Sequence, residues 1–153
     1  MAKEIERKYL LENNSWRSLV SYSCTIQQGY LSSDPDRTVR IRIIDDKGIL
    51  TVKGKNIGIS RLEFEYDIPL EDAIELIQLC DKPLIEKTRN IVVLDSQTWE
   101  IDEFGGSNKG LVIAEIELET EDTKIELPSW IGNEVSHDPR YYNSNLVKGP
   151  ING

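Results

Sequence analysis

The sequence predicts a mainly β protein of the α+β kind, built around one antiparallel sheet with a few helices packed outside it. Eight segments alternate apolar and charged residues with period two, as half-buried strands do. Short polar segments that contain glycine, such as 45–48 (DDKG) and 54–58 (GKNIG), separate neighbouring segments as hairpin turns do. Eight strands favour a closed barrel, because closure removes exposed edges, but an open, strongly curved sheet has the same alternation.

The strands follow from this period-two pattern, and the helices follow from apolar residues at helical spacing. The predicted strands are 2–11, 24–31, 37–44, 48–54, 60–68, 85–94, 97–104 and 110–119. The segment 69–83 predicts an amphipathic helix, since Ala73 and Ile77 recur at helical spacing between two prolines. Weaker helical patterns cover 14–21 and 138–147.

Length and composition limit the class of protein. A chain of 153 residues can form one domain with a hydrophobic core, so we expect a single domain over residues 1–153. We expect it to be soluble and cytoplasmic, because it has neither the apolar run of a membrane span nor a signal peptide. A net charge of −9 disfavours a surface that coats nucleic acid. Cys24 and Cys80 lack the spacing of a zinc site, and we interpret both as buried thiols.

Charged side chains occupy one face of nearly every predicted strand, and their signs are segregated. The opening EIERKYL places Glu4, Glu6 and Lys8 on a common face, because side chains of a strand alternate between faces. Basic residues share a face in three later segments, at Arg40, Arg42, Lys53, Lys87 and Arg89. Acidic residues do so in three others, at Glu63, Glu65, Glu100, Asp102, Glu115 and Glu117.

Two explanations fit these charged faces. An antiparallel sheet with one solvated face alternates in the same way, which is the simpler interpretation of any single strand. Segregation of the signs is harder to explain by solvation, because like charges across a sheet destabilise it. A polyphosphate that carries divalent metal ions would relieve that repulsion, since carboxylates bind hard cations and arginine and lysine bind phosphate oxygens.

The charged motifs, in their order along the chain, resemble those of the CYTH superfamily of triphosphate tunnel metalloenzymes, and most closely its short bacterial members. The resemblance runs from residue 4 to about residue 146 and rests on ExExK at Glu4, Glu6 and Lys8, followed by TVRIR, LTVKG, EFEY, IEKTR, WEIDEF and AEIEL. The segments IQQGYL and DPRYYNSNL also have counterparts. The resemblance implies a closed eight-stranded barrel with a charged interior, the tunnel, which binds a triphosphate with Mg²⁺ or Mn²⁺.

The resemblance also implies roles for individual residues. The phosphate-binding positions are Lys8, Arg40, Arg42, Lys53, Lys87 and Arg89. The metal-binding positions are Glu4, Glu6, Asp102, Glu115 and Glu117. Glu63 and Glu65 match acidic positions that either bind metal or orient the basic residues. Tyr30 matches a proposed proton-transfer tyrosine, although a tyrosine at a strand end can also be a packing residue. Lys8 and Lys87 complete the candidate catalytic set, as point charges near the scissile bond.

The predicted function is metal-dependent hydrolysis of inorganic triphosphate to pyrophosphate and phosphate. Alternatives are a class IV type adenylate cyclase, a thiamine or nucleoside triphosphatase, and a module that binds polyphosphate without cleaving it. Trp16, Trp99 and Trp130 are interpreted as packing residues, which leaves no evident slot for a base. His137 lies outside the strands and is interpreted as a surface or packing residue. We expect a monomer or homodimer that binds a small polyanion, with no nucleic-acid or membrane partner.

Overall fold

A computed structural model describes residues 3–146; the ends of the predicted domain, 1–2 and 147–153, lie outside the described residues. The strands are β1 (Lys3–Leu11), β2 (Tyr22–Asp34), β3 (Arg37–Ile44), β4 (Lys47–Gly54), β5 (Ser60–Ile68), β6 (Ile85–Leu94), β7 (Gln97–Phe104), β8 (Val112–Glu117) and β9 (Ile131–Glu134). The α-helices are α1 (Leu70–Gln78) and α2 (Asn143–Leu146), and 3₁₀ turns cover Ser15–Leu19, Gly106–Asn108 and Pro139–Tyr141. Among the residues that the structure describes, none of the helices has the length and apolar character that a membrane crossing requires.

The first eight strands form a closed antiparallel barrel, as predicted. Their order is β5-β4-β3-β2-β6-β7-β8-β1, and β1 pairs again with β5. This closing contact is short, because only residues 3–5 of β1 pair with residues 60–62 of β5. The rest of that edge of β1 pairs with β9 near Tyr9 and Leu11, so one strand serves two neighbours along its length.

The main hydrophobic core lies outside the barrel wall, which inverts the usual arrangement. Tyr9, Trp16, Trp99 and Trp130 are all buried there, as predicted for the tryptophans. The Trp99 ring contacts Tyr9 and Trp130 edge-on, with ring centroids 5.7 and 5.8 Å apart. The 3₁₀ turn after β1 and the segment around Trp130 cover this face, so the opposite face of each strand is left to the interior.

Helix α1 covers a second outer face, over β2, β3 and β4. Two glycines allow the close approach. A Cβ atom at Gly29 would lie 2.6 Å from the Cβ of Cys80, and one at Gly48 would lie 2.6 Å from the Cβ of Ala73. Gly29 faces outward, so the residues on either side of it, Gln28 and Tyr30, face the interior.

One end of the interior is apolar. Ile85, Phe104 and Ile113 share strand faces with the inward-facing charged residues of β6, β7 and β8, and they form a buried cluster with Tyr30 and Leu146. Helix α2 therefore contributes Leu146 to the barrel interior at this end. The predicted charged interior is confirmed for the rest of the barrel.

Several local predictions differ from the structure. Strand β9 was not predicted, because its four residues lack a clear period-two pattern. The predicted helix over 14–21 is a short 3₁₀ turn, and the tail predicted as one helix over 138–147 forms a 3₁₀ turn followed by α2, with Val147 outside the described residues. Strand β2 extends past its predicted limits, with a register shift after Tyr30. Cys80 is buried as expected, whereas Cys24 is only partly buried.

Candidate active site

The barrel encloses a cavity of about 380 Å³, within the range of roughly 300–1,000 Å³ found for small-molecule sites. We call it the tunnel cavity. It is lined by Glu4, Glu6, Lys8, Tyr30, Thr38, Arg40, Arg42, Ile44, Ile49, Lys53, Glu63, Glu65, Arg89, Glu100, Glu115, Glu117 and Asn143. Most of these side chains are charged, so the cavity suits a small, highly charged ligand.

The two signs of charge occupy two contiguous halves of the barrel wall. The basic half consists of β4, β3, β2 and β6, which carry Lys53, Arg40, Arg42 and Arg89. The acidic half consists of β7, β8, β1 and β5, which carry Glu100, Glu115, Glu117, Glu4, Glu6, Glu63 and Glu65. The sequence places basic and acidic residues on different strands. Once the sheet closes, these strands form a cavity with one positive and one negative side.

Ion pairs neutralise charge where the two halves meet. At the junction of β4 and β5, the Lys53 Nζ donates to both oxygens of Glu4, at 2.9 and 3.1 Å, and lies 3.3 Å from Glu63. At the junction of β6 and β7, Arg89 donates to both oxygens of Asp102, each at 2.9 Å, and to Glu100 at 2.8 Å. Among the described residues, the charged side chains at the centre of each half form no ion pair with the opposite half.

Arg40 and Arg42 lie at the centre of the basic half, and both are buried. A terminal nitrogen of Arg40 donates to the Thr51 hydroxyl at 3.3 Å, but its buried Nε has no hydrogen-bond partner. Burial, with the nearby charges of Arg40 and Arg89, lowers the pKa of Arg42 to about 9, so Arg42 remains cationic at neutral pH. An unpaired buried donor and a destabilised cation both favour a bound anion.

A carboxylate cluster lies in the acidic half. Oxygens of Glu4, Glu63 and Glu117 all lie within 4.8 Å of one another. Burial and a hydrogen bond with Glu4 raise the pKa of Glu63 to about 7. Burial would raise the pKa of Glu4 as well, but Lys53 and the hydrogen bond from Glu63 outweigh burial and lower it. Without a metal ion, the cluster is therefore stabilised by a proton on Glu63 and by Lys53.

Glu6 is the strongest case of a carboxylate that holds its proton. Burial, together with the charges of Glu115 and Glu4, raises the pKa of Glu6 to about 8. Glu115 behaves in the opposite way: burial would raise its pKa, but the charges of Lys8, Arg89 and Lys87 together outweigh burial and lower it to about 2. The Lys8 Nζ lies 3.6 Å from Glu115 and 4.0 Å from Glu6. Lys8 is thus the one cation that β1 contributes to the acidic half.

Lys87 and Asp102 face the barrel interior between the charged cavity and the apolar end, and they do not contribute to the lining of the cavity. Their charged groups are 2.7 Å apart and buried. Burial lowers the pKa of Lys87 to about 7 despite the charge of Asp102, and the nearby Arg89 and Arg42 act in the same direction as burial. Lys87 and Arg89 together keep the pKa of Asp102 far below its usual range despite burial. In the structure Asp102 therefore binds two cationic side chains.

The structure brings together every other predicted site residue in the tunnel cavity, including the two uncertain ones, Glu63 and Glu65. It also adds residues that the charge pattern did not select: Asn143 on α2 lines the cavity, and Gln28 faces the interior beside Arg42 without lining the cavity. Gln28 had one detectable signal, since it shares its strand face with Tyr30. Asn143 had none, because its position depends on how the tail folds back.

The fold and cavity together define a barrel that binds a small polyanion together with cations. The CYTH domain model matches residues 2–142, so the chain belongs to the CYTH family. It is 52% identical over 151 residues to the inorganic triphosphatase of Acetivibrio thermocellus, covering 98% of this chain and 96% of the relative. It is 33% identical over 148 residues to the inorganic triphosphatase of Nitrosomonas europaea, covering 94% and 96%.

Solved structures show the same fold. A crystal structure of an inorganic triphosphatase superposes with a TM-score of 0.69 at 29% identity, covering 100% of this chain and 99% of the other. A protein from Pyrococcus horikoshii OT3 superposes with a TM-score of 0.60 at 21% identity, covering 78% and 80%. The more distant match supports the barrel fold alone.

Proposed function

We propose that the protein is a metal-dependent hydrolase that cleaves inorganic triphosphate to pyrophosphate and phosphate in the tunnel cavity. The observation that carries the proposal is the cavity itself, in which a basic half faces an acidic half across a space of about 380 Å³. A simple anion-binding site would not need the carboxylates. Two relatives that align along nearly the whole chain are named inorganic triphosphatases, which supports the same reaction.

Carboxylates of the acidic half would hold Mg²⁺ or Mn²⁺. The cluster of Glu4, Glu63 and Glu117 fits such an ion, because it offers several oxygens within 4.8 Å of one another, and hard divalent cations prefer oxygen ligands. Glu6 and Glu115 line the same half and are further candidate ligands. A bound divalent ion would neutralise charge on the phosphate oxygens and lower the pKa of a coordinated water.

The basic half would hold the phosphate chain. Arg40, Arg42 and Arg89 line it, and arginine can donate to two phosphate oxygens at once. Lys53 pairs with Glu4 and Glu63, so it would lie between the phosphate chain and the metal ligands. Fixing the anion and neutralising its charge are the main requirements for phosphoryl transfer, which asks for little covalent chemistry from the protein.

Tyr30 and Lys8 are the candidate catalytic residues that line the cavity. Tyr30 is near enough to Lys8 and Arg42 to affect the pKa of both, so its hydroxyl belongs to the centre of the site. Lys87 and Asp102 would act from outside the cavity lining, where Asp102 fixes Arg89 through two hydrogen bonds. Direct contact of Lys87 or Asp102 with a ligand would require their ion pair to open.

Hydrolysis of an organic triphosphate is a second candidate, and one observation favours it. A further cavity of about 610 Å³, here called the rim cavity, shares Glu100 and Glu117 with the tunnel cavity. Its lining includes Tyr22, Ile91 and Leu118, which could receive an organic group. The rim cavity could not be predicted from the sequence, because these residues come from three separated segments.

A substrate panel tests both candidates. The purified protein is assayed with Mg²⁺ or Mn²⁺ on inorganic triphosphate, ATP and thiamine triphosphate, with phosphate, pyrophosphate and cyclic AMP measured separately. We expect kcat/KM to be highest for inorganic triphosphate, with little cyclic AMP, because the charged lining interacts with the phosphate chain alone. Higher kcat/KM for ATP would establish the second candidate, and cyclic AMP as the main product would indicate a cyclase. Tight binding of triphosphate without turnover would indicate a binding module.

A further inference from the structure

Gln28 is a fully buried amide on β2 that contacts two cavity-lining residues without lining the cavity itself. The Arg42 Nε donates to the Gln28 Oε1 at 2.7 Å. The Gln28 Nε2 in turn donates to the Tyr30 hydroxyl oxygen at 3.3 Å. Because a guanidinium can only donate, the amide oxygen has to face Arg42, and the amide NH₂ therefore faces Tyr30. The chemistry of Arg42 thus fixes the orientation of the amide.

Each of these hydrogen bonds constrains a group that faces the ligand. With its Nε bound to Gln28, Arg42 keeps its two terminal nitrogens for an anion in the cavity. Because the Tyr30 oxygen accepts from Gln28, the hydroxyl hydrogen of Tyr30 is free to donate to another acceptor. A glutamine can do both at once, since it has an acceptor and a donor on one rigid plane.

Burial makes this arrangement costly to disturb. Gln28 is wholly inaccessible to solvent, and Arg42 is buried beside it. A buried polar group that loses its partner destabilises the protein, because no water replaces the hydrogen bond. Arg42 without Gln28 would therefore turn its guanidinium toward another acceptor, and Tyr30 would lose its donor.

We propose that Gln28 is a positioning residue that couples Arg42 to Tyr30: it holds the guanidinium plane for the phosphate chain and directs the Tyr30 hydroxyl. This inference rests on the proposed triphosphate hydrolysis. It adds a residue that neither the charge pattern nor the cavity lining selects. Gln28 acts on the reaction only through Arg42 and Tyr30, so the effect of replacing Gln28 depends on the presence of these two residues.

The test is a double-mutant cycle with Gln28→Met, which keeps the side-chain length and removes both hydrogen bonds. The variant is combined with Tyr30→Phe and, separately, with Arg42→Lys, and KM and kcat for inorganic triphosphate are measured for all single and double variants. Gln27→Met is the matched control, because Gln27 is the neighbouring residue on the outward face. The melting temperature of each variant is recorded, which separates loss of fold from loss of position.

We expect Gln28→Met to lower kcat/KM by at least about 10-fold, since small displacements of positioning groups cost up to about 100-fold. In the Tyr30→Phe background, Gln28→Met should change kcat less than it does in the wild type. In the Arg42→Lys background, it should change KM less than it does in the wild type. Gln27→Met should leave both parameters unchanged. Equal effects in every background, or a lower melting temperature with wild-type KM and kcat, would overturn the proposal. If wild-type protein does not cleave triphosphate, the proposed function fails instead.

If Gln28→Met does not fold, Gln28→Glu tests the Tyr30 contact alone. The carboxylate still accepts from Arg42 but no longer donates to Tyr30 when ionised. Its loss of kcat should disappear in the Tyr30→Phe background. The same loss of kcat in both backgrounds would contradict the coupling.

Discussion

The basic and acidic halves of the tunnel each use four strands, but they stabilise their charge in different ways. In the basic half, Arg42 keeps its charge at neutral pH and donates to the neutral amide of Gln28. In the acidic half, burial raises the pKa of Glu6 to about 8 and that of Glu63 to about 7, so these groups hold protons instead. The basic half is thus preformed for an anion, whereas the acidic half exchanges protons for a cation.

This difference implies two separable contributions to activity. Removal of a carboxylate should be compensated in part by a higher metal concentration, because it weakens metal binding. Removal of an arginine should not be compensated in this way, because it weakens the contact with phosphate oxygens. Recovery of activity at a higher metal concentration therefore distinguishes a defect in the acidic half from a defect in the basic half.

The largest expected effect is that of Glu117→Gln, in the carboxylate cluster. Glutamine keeps the size of the side chain but removes its charge, so the metal affinity should fall and kcat/KM should decrease by at least about 100-fold at limiting Mn²⁺. Calorimetric titration with Mn²⁺ and a rate assay at several metal concentrations check this. Glu86→Gln is the control, since Glu86 is exposed on the outer face of β6. Wild-type metal affinity in Glu117→Gln would remove Glu117 from the set of ligands.

Arg42→Lys should have the next largest effect. Lysine keeps the positive charge but carries its donors on one nitrogen and lacks the planar fork that lets Arg42 bind Gln28 through Nε and phosphate oxygens through its terminal nitrogens, so kcat/KM should fall by about 10–100-fold. Excess Mn²⁺ should not restore it. Arg37→Lys is the matched control, because Arg37 is highly exposed at the start of β3. Recovery of Arg42→Lys at high metal concentration would show that the halves are not separable as described.

The pH dependence of metal affinity should show a smaller effect. Glu6 and Glu63 carry protons below about pH 8 and pH 7, and a metal ion has to displace them. Apparent Mn²⁺ affinity should therefore fall as the pH falls from 8.5 to 6.5, by up to about tenfold per pH unit for each proton displaced. Titrations with Mn²⁺ at several pH values measure this slope. A flat profile would contradict proton–metal exchange in the acidic half.

The smallest expected effect is on the stability of the metal-free protein. The folded-state pKa of Glu6, about 8, lies above the ordinary value, so the folded protein binds an additional proton between about pH 4.5 and 8. Stability from this group is present at low pH and decreases as the pH rises toward 8. Glu6→Gln cannot ionise, and its melting temperature above pH 8 should exceed that of wild type by about 2–4 °C.

Near pH 5 the melting temperatures of Glu6→Gln and wild type should agree, because Glu6 is then protonated in the folded protein. Glu12→Gln, at an exposed position just after β1, should show no such difference at either pH. A melting temperature of Glu6→Gln below that of wild type above pH 8 would show that the Glu6 charge stabilises the metal-free fold.

The sequence alone determined the eight barrel strands and the face that their side chains occupy. Alternation with period two is a local property, so Glu4, Glu6 and Lys8 could be assigned to one face before any neighbour was known. The same rule predicted that Trp99 belongs to the opposite, packed face, which the structure confirms. Helix α1 followed from another local property, the helical spacing of its apolar residues.

Tertiary structure decided how the barrel closes and which side chains meet across the pairs of strands. The joining of β5 to β1 brings Glu4 to Lys53 and Glu63, which are partners across β4 and β5, and no local pattern specifies that closure. The return of the tail places Asn143 at the cavity, and the register of β2 against β3 places Gln28 opposite Arg42. Hydrogen bonds and pKa shifts depend on distances between groups far apart in the chain, which only the closed barrel sets.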